Sequence, residues 1–158
     1  MPKGKGRPRW TGRMNSGNSG AERRAIARDL PAIKAIAESC DELRREWEHD
    51  GGDVSKWDRV HTSRDGVVAL VLSRRGDNLL TGLARLPDAI GTFFSLTKLY
   101  LQGCPDLQEL PDTIGGLASL EFLIMSDCPK ITSLPDAMGK LRKRFAVDAD
   151  TMRQATAV

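Results

Sequence analysis

One hexapeptide recurs three times at a fixed interval, and that interval limits the fold more than any other feature of the chain. Leu86-Pro87-Asp88-Ala89-Ile90-Gly91 returns as Leu110-Pro111-Asp112-Thr113-Ile114-Gly115 and again as Leu134-Pro135-Asp136-Ala137-Met138-Gly139, 24 residues apart each time. The interior repeats in the same phase. Leu96, Leu99, Leu101, Cys104, Leu107 and Leu110 are answered by Leu120, Leu123, Met125, Cys128, Ile131 and Leu134. The resulting pattern, L-x-x-L-x-L-x-x-C-x-x-L-x-x-L-P, gives each unit one short strand whose L-x-L pair points inward on alternate positions. Proline then ends the strand direction. Asp88, Asp112 and Asp136 fall where an N-cap would open a short turn and accept amide hydrogen bonds. Ile90, Ile114 and Met138 are expected to point back into the core. No such unit can bury its apolar side alone, so successive units must stack and pair their strands into a parallel sheet.

This pattern resembles the leucine-rich-repeat family, in the 23- or 24-residue form with L-P-x-x-I-G seen in plant-type disease-resistance receptors and related intracellular proteins. The resemblance covers residues 67–141. It implies an α/β leucine-rich-repeat solenoid with a short parallel sheet on its concave face and an N-terminal cap helix. It also implies protein–protein recognition, in signalling or immunity, rather than catalysis. Upstream, Trp57-x-x-Val60 and Gly66-Val67-Val68-x-Leu70-x-Leu72 look like the N-terminal cap of secreted members. That cap normally carries paired cysteines, whereas His61 stands in the corresponding place and Cys40 has no evident partner. By the same likeness Leu70 and Leu72 begin a degenerate unit, and Asn78-x-Leu80-x-Gly82 looks like the family's asparagine turn. Cys104 and Cys128 take the family's Asn-or-Cys position, whose side chain serves backbone groups inside the turn. After Gly139 the register fails, because Arg144 stands where Leu96 and Leu120 stood; Phe145 and Val147 are left to form a closing strand.

Four segments follow. Residues 1–20 are rich in Gly, Pro, Ser and Asn and have no apolar period, so a disordered basic tail is expected. Residues 21–66 read as a helical N-terminal cap, 67–141 as the repeats, and 142–158 as a C-terminal cap or tail. Within the cap, Ile26, Leu30, Ile33, Ala37, Cys40, Leu43 and Trp47 make one helical stripe. Pro31 interrupts it, which places the firm helix at 31–48 and leaves 22–29 as a kinked or separate turn. Val67–Leu72 reads as a buried strand after the turn signal Asp65-Gly66.

Aligning the units gives the outward strand positions, where repeat proteins usually bind. One column is Val71, Tyr100 and Ile124; its neighbours are Ala69, Lys98 and Phe122, then Ser73, Gln102 and Ser126, then Arg74, Gly103 and Asp127. Lys98, Tyr100, Gln102, Phe122, Ile124 and Asp127 are therefore the candidate contacts for a partner protein, with the aromatics as anchors.

Net charge over 158 residues is only +3, but it is unevenly spread. Lys3, Lys5, Arg7, Arg9 and Arg13 lie in a stretch without acids, and Lys140, Arg142, Lys143 and Arg144 form a second knot. The first group carries the alternative function, in which the chain belongs to a ribonucleoprotein or another large assembly and its N-terminal tail contacts RNA phosphates. Three cysteines with no C-x-x-C pair argue for free thiols and a reducing compartment, so the cytoplasm is expected, with the nucleus as the alternative. The basic N-terminus has no apolar run behind it, as a secretory signal would, and no run of 18 to 20 apolar residues exists to cross a bilayer. The only histidines are His49 and His61, with no specified nucleophile, zinc-ligand spacing or phosphate loop around them. The expectation is therefore no enzymatic activity, cofactor, metal or small-molecule substrate.

Overall fold

The computed structural model describes residues 20–54, 56–73, 79–141 and 146–147. Two helices, α1 (Gly20–Ala37) and α2 (Asp41–His49), precede a hairpin of β1 (Val60–Ser63) and β2 (Gly66–Val71). Strands β3 (Lys98–Gln102), β4 (Phe122–Ser126) and β5 (Ala146–Val147) follow, separated by 3₁₀ turns at Asp88–Thr92, Asp112–Gly116 and Asp136–Lys140. All five strands form one sheet in chain order.

The 24-residue phase appears directly in the strand register. Leu99 lies opposite Leu123 and Leu101 opposite Met125 in parallel strands, and Leu70 lies opposite Leu99. Sequence reading suggests a wholly parallel sheet, but the sheet is mixed, because β1 runs antiparallel to β2. The cause is local. Ser63 pairs with Gly66, so only Arg64 and Asp65 connect the strands, and a two-residue link joins antiparallel strands alone. Gly66 supplies the positive φ of 120° at that corner.

The helices also depart from expectation. The stripe divides between α1 and α2, which break at residues 38–40, rather than running through one helix from 31 to 48. The first turn is no separate piece either: α1 is continuous from Gly20 through Pro31. Proline is tolerated because Ala27 and Pro31 both face outward, so the carbonyl that loses its partner can turn to water. Ser39 Oγ donates to the Ile36 carbonyl at 2.6 Å and Ser39 N to the same oxygen at 3.1 Å, which closes α1 with a tight turn.

The three aspartates do not serve as N-caps. Pro87, Pro111 and Pro135 occupy the cap positions, with no side-chain cap bond, and each 3₁₀ turn is closed instead by backbone, as in Ile90 N to Pro87 O at 3.0 Å. The carboxylates are exposed first-turn residues, where a negative charge suits the positive end of the turn.

One continuous apolar core runs from Ala32 in α1 to Leu141. Leu99, Leu101, Leu107, Leu123, Met125 and Ile131 are fully buried, each worth about 1.5–3 kcal/mol on removal from water. Trp47 and Trp57 meet edge to face at 5.2 Å and close the N-terminal end of the core. Two charged side chains are buried as well. Asp29 in α1 accepts the Val67 amide at 2.8 Å and Arg28 Nε at 3.0 Å, which docks the helix on the start of β2. Arg59 reaches Glu46 through Nε at 2.5 Å and Nη2 at 2.9 Å, and donates from Nη1 to the Ser73 carbonyl at 2.8 Å. These charges are tolerated only because every one is paired.

Candidate partner-binding face

Successive units are joined on both sides of the strands. Inside the turns, Cys104 Sγ donates to the Leu72 carbonyl and Cys128 Sγ to the Leu101 carbonyl, each at 3.2 Å. The cysteines thus satisfy backbone of the preceding unit, as the Asn-or-Cys resemblance implies. Hydrogen bonding with Cys128, followed by burial, holds the Cys104 thiol well above its ordinary range. Both thiols, and Cys40, are free and buried.

A second column bridges three units. Asp106 Oδ2 accepts the Gly82 amide at 2.9 Å, and its Oδ1 accepts Lys130 Nζ at 2.6 Å. The Lys130 hydrogen bond, then the Gly82 amide, then the Lys130 charge lower the Asp106 pKa. On the 3₁₀ side the contact is closer still. A Cβ placed on Gly115 would lie 2.7 Å from the Ala137 carbonyl, and one on Gly91 would press harder on the Thr113 carbonyl. Glycine at these motif positions is thus a packing requirement, set by neighbouring turns that touch backbone to backbone.

These connections fix the outer strand face. Ala69, Lys98 and Phe122 align in one row, Val71, Tyr100 and Ile124 in the next, and Gln102 beside Ser126 in the third. His61 pairs with Ala69 and extends the first row onto β1. Burial alternates along β3 and β4, with Leu99, Leu101, Leu123 and Met125 beneath and the aligned rows above. Phe122 is 43% exposed, whereas Tyr100 and Ile124 are half-buried. Lys98 Nζ lies 5.9 Å from the Phe122 ring centroid, a cation–π distance, and Gln102 Nε2 donates to Ser126 Oγ at 3.2 Å. The N-terminal helix packs on β2 and the first 3₁₀ turn, and the rows of β3 and β4 keep exposed surface.

Asp127 sits apart from the rows. It is exposed at the end of β4 with φ 55°, in the place that Gly103 takes with φ 67° one unit earlier. It is therefore a turn residue at the rim. Arg74, from the same column, lies outside the described residues, as do Lys3, Lys5, Arg7, Arg9 and Arg13 and the side chains of 142–158. His49 and His61 are exposed and lie on different elements, α2 and β1. Among the described residues no three His, Cys, Asp or Glu side chains converge as metal ligands would, and no helix is long and apolar enough to cross a membrane.

Sequence reading does not find Asp29 and Arg59, the two charges that set the helices against the sheet. Asp29 has a signal in retrospect: Ile26, Asp29, Ile33 and Ile36 share one helical stripe, and a carboxylate on it must enter the core. Arg59 has no such mark.

Residues 95–117 match the family model described as Leucine Rich Repeat, so this stretch is a leucine-rich repeat, a motif that suggests a protein-interaction module in general. No curated protein matches the sequence. Among solved structures, the crystal structure of a plant ice-binding protein is similar, with a TM-score of 0.53 and 16% identity. The likeness covers 78% of this chain and 50% of that one, so the chain spans half the length of its structural neighbour. At this identity the similarity concerns the fold alone.

Proposed function

We propose that the chain is a short solenoid of 24-residue units of the L-P-x-x-I-G form, and that it binds a partner protein through its outer strand face without catalysing a reaction. The observation behind this reading is the row Val71, Tyr100 and Ile124 beside Phe122, an apolar strip that keeps solvent exposure with β2, β3 and β4 paired. A surface of this kind fits an aliphatic or aromatic side chain of a partner, with Lys98, Gln102 and Asp127 as its polar rim. Signalling or immune recognition is the setting that the family resemblance implies. Three free, buried thiols favour a reducing compartment, and the cytoplasm is the proposed location.

Capture from native extract tests the reading, with Tyr100→Ala/Phe122→Ala as the control. Buried aromatic anchors contribute about 2 kcal/mol or more each at interfaces, so the double variant should lose the specific partner while its melting temperature stays near that of the wild type. A photo-crosslinker at Ile124 should label that partner, and one at Thr113 on the 3₁₀ side should not. Capture that survives the double substitution, or equal labelling from both positions, refutes the strand face as the binding surface.

A further inference from the structure

A second surface, at the N-terminal end of the fold, gathers arginines from two elements. Arg24 and Arg28 lie one turn apart on α1, with Ala21 and Ala25 beside them, and Arg64 enters from the β1–β2 turn. Together with Asp65 and Ser95 they line a shallow depression of about 570 Å³. Arg28 is anchored there. Its Nε pairs with Asp29 at 3.0 Å, its Nη2 donates to the Asp65 carbonyl at 2.9 Å, and its guanidinium lies 5.4 Å from the Phe94 ring centroid. Arg24 and Arg64 have no acidic partner among the described residues. Like charges one helical turn apart repel, and Arg64 adds to that repulsion. The Asp65 carboxylate in the same depression offsets a single charge.

Beside these cations stands Phe94, 61% exposed and more open than Phe122 or Leu79. Its main chain is held from the next unit, where Ser119 Oγ donates to the Phe94 carbonyl at 2.7 Å, so the ring stands on a fixed base. Charge along the chain points to the same end. Residues 1–28 carry eight Lys or Arg against one acid, whereas the remainder carries sixteen against twenty. Arg24 lies about one turn from Gly20, where α1 begins.

We infer that this depression docks single-stranded RNA, with Arg24 and Arg64 on successive phosphates and Phe94 against an unstacked base. The pairing of free guanidinium groups with an exposed ring is what favours a single strand. Cations alone would suit any polyanion, but a ring standing clear of the surface needs a base that is already out of a helix. Hydrogen bonds to base edges play no part, so recognition tolerates sequence. This site is separate from the strand face and goes beyond protein binding.

The test is fluorescence anisotropy of labelled 12-mer oligouridylate and oligoadenylate with the full chain at several salt concentrations. Phe94→Ala should weaken binding about tenfold with an unchanged salt slope, as loss of one stacked base does. Arg24→Gln/Arg64→Gln should weaken binding and flatten the salt slope by about 1.4, the value for two single-strand phosphates. Arg28 is left intact because it holds the β1–β2 turn. Tyr100→Ala/Phe122→Ala should bind RNA like the wild type, which separates failure here from failure of the strand-face reading. Wild-type affinity in both patch variants would assign RNA binding to residues 3–13 alone and overturn the proposal. Equal binding of a duplex, or of a phosphorylated peptide, would overturn it too, because neither presents a base to Phe94.

Discussion

Replacing the motif glycines by alanine, one at a time, tests the stacking with an internal control. Gly91, Gly115 and Gly139 hold the same place in three hexapeptides, and none has positive φ, so alanine suits the backbone at each. Taken alone, that change should stabilise by about 0.4–1 kcal/mol through the unfolded chain. The surroundings differ. At Gly115 a methyl would lie 2.7 Å from the Ala137 carbonyl and 2.8 Å from the Ala137 Cβ, several tenths of an ångström inside ordinary contact. Both obstacles are stiff, since one is backbone and the other is bonded directly to it. Overpacking of this kind costs about 1–3 kcal/mol, which outweighs the entropic gain. The same holds at Gly91 against Thr113, whereas no described atom lies within 4 Å of a methyl on Gly139. Urea unfolding should therefore show Gly91→Ala and Gly115→Ala destabilised and Gly139→Ala slightly stabilised. At this chain length each kilocalorie moves the melting temperature by roughly 2–4 °C, so calorimetry resolves the difference. Three equal shifts, or a destabilised Gly139→Ala, would refute backbone contact between neighbouring 3₁₀ turns.

Other substitutions probe single links. Leu99→Ala opens a cavity between β2 and β4 in the core and should cost about 2–5 kcal/mol in urea unfolding. Asp29→Ala strips the Val67 amide of its acceptor and should cost about 1–3 kcal/mol, with earlier hydrogen exchange at Val67 as the local sign. The Asp106 carboxyl is lowered from its ordinary value of 3.8, so its contribution is complete above pH 3.8 and fades as pH falls through the folded value. Asp106→Asn should flatten the acid side of the stability profile below about pH 4, read by thermal unfolding at each pH. With its pKa raised by Cys128 and by burial, Cys104 should resist iodoacetamide at pH 8 in the native protein and react on denaturation.

The repeating part of this fold is legible because its physics is local and periodic. Leu99, Leu101, Leu123 and Met125 lie two residues apart along a strand and 24 apart between strands, so spacing alone places them inward and in register. The outward rows follow by elimination, and the strand pairing agrees with the column alignment at Ala69, Lys98 and Phe122 and at Val71, Tyr100 and Ile124. What the periodicity does not carry is the N-terminal end. The antiparallel β1 is short and polar beyond Val60, with His61, Thr62 and Ser63, and lacks the apolar alternation that marks a strand. The break between α1 and α2 leaves the apolar spacing undisturbed, so the stripe reads straight through it. Asp29 and Arg59 are invisible to hydropathy, because their burial depends on an amide or carboxylate that comes from elsewhere in the chain. The arginine depression has the same character. Arg24 and Arg64 are 40 residues apart in sequence and meet only once α1 is docked on the hairpin.

The antiparallel hairpin gives the molecule a direction of growth. At the β1 side, the two-residue turn, the helix pinned by Asp29 and the paired tryptophans replace the 24-residue pattern, so a copied unit finds no matching rung there. On the opposite side the pattern still holds at Gly139, in the motif position where Gly91 and Gly115 each meet the next turn. Inserting a copy of residues 110–133 after Ser133 keeps every Leu-Pro pair 24 residues from the last and would thus extend the outer rows by one tread.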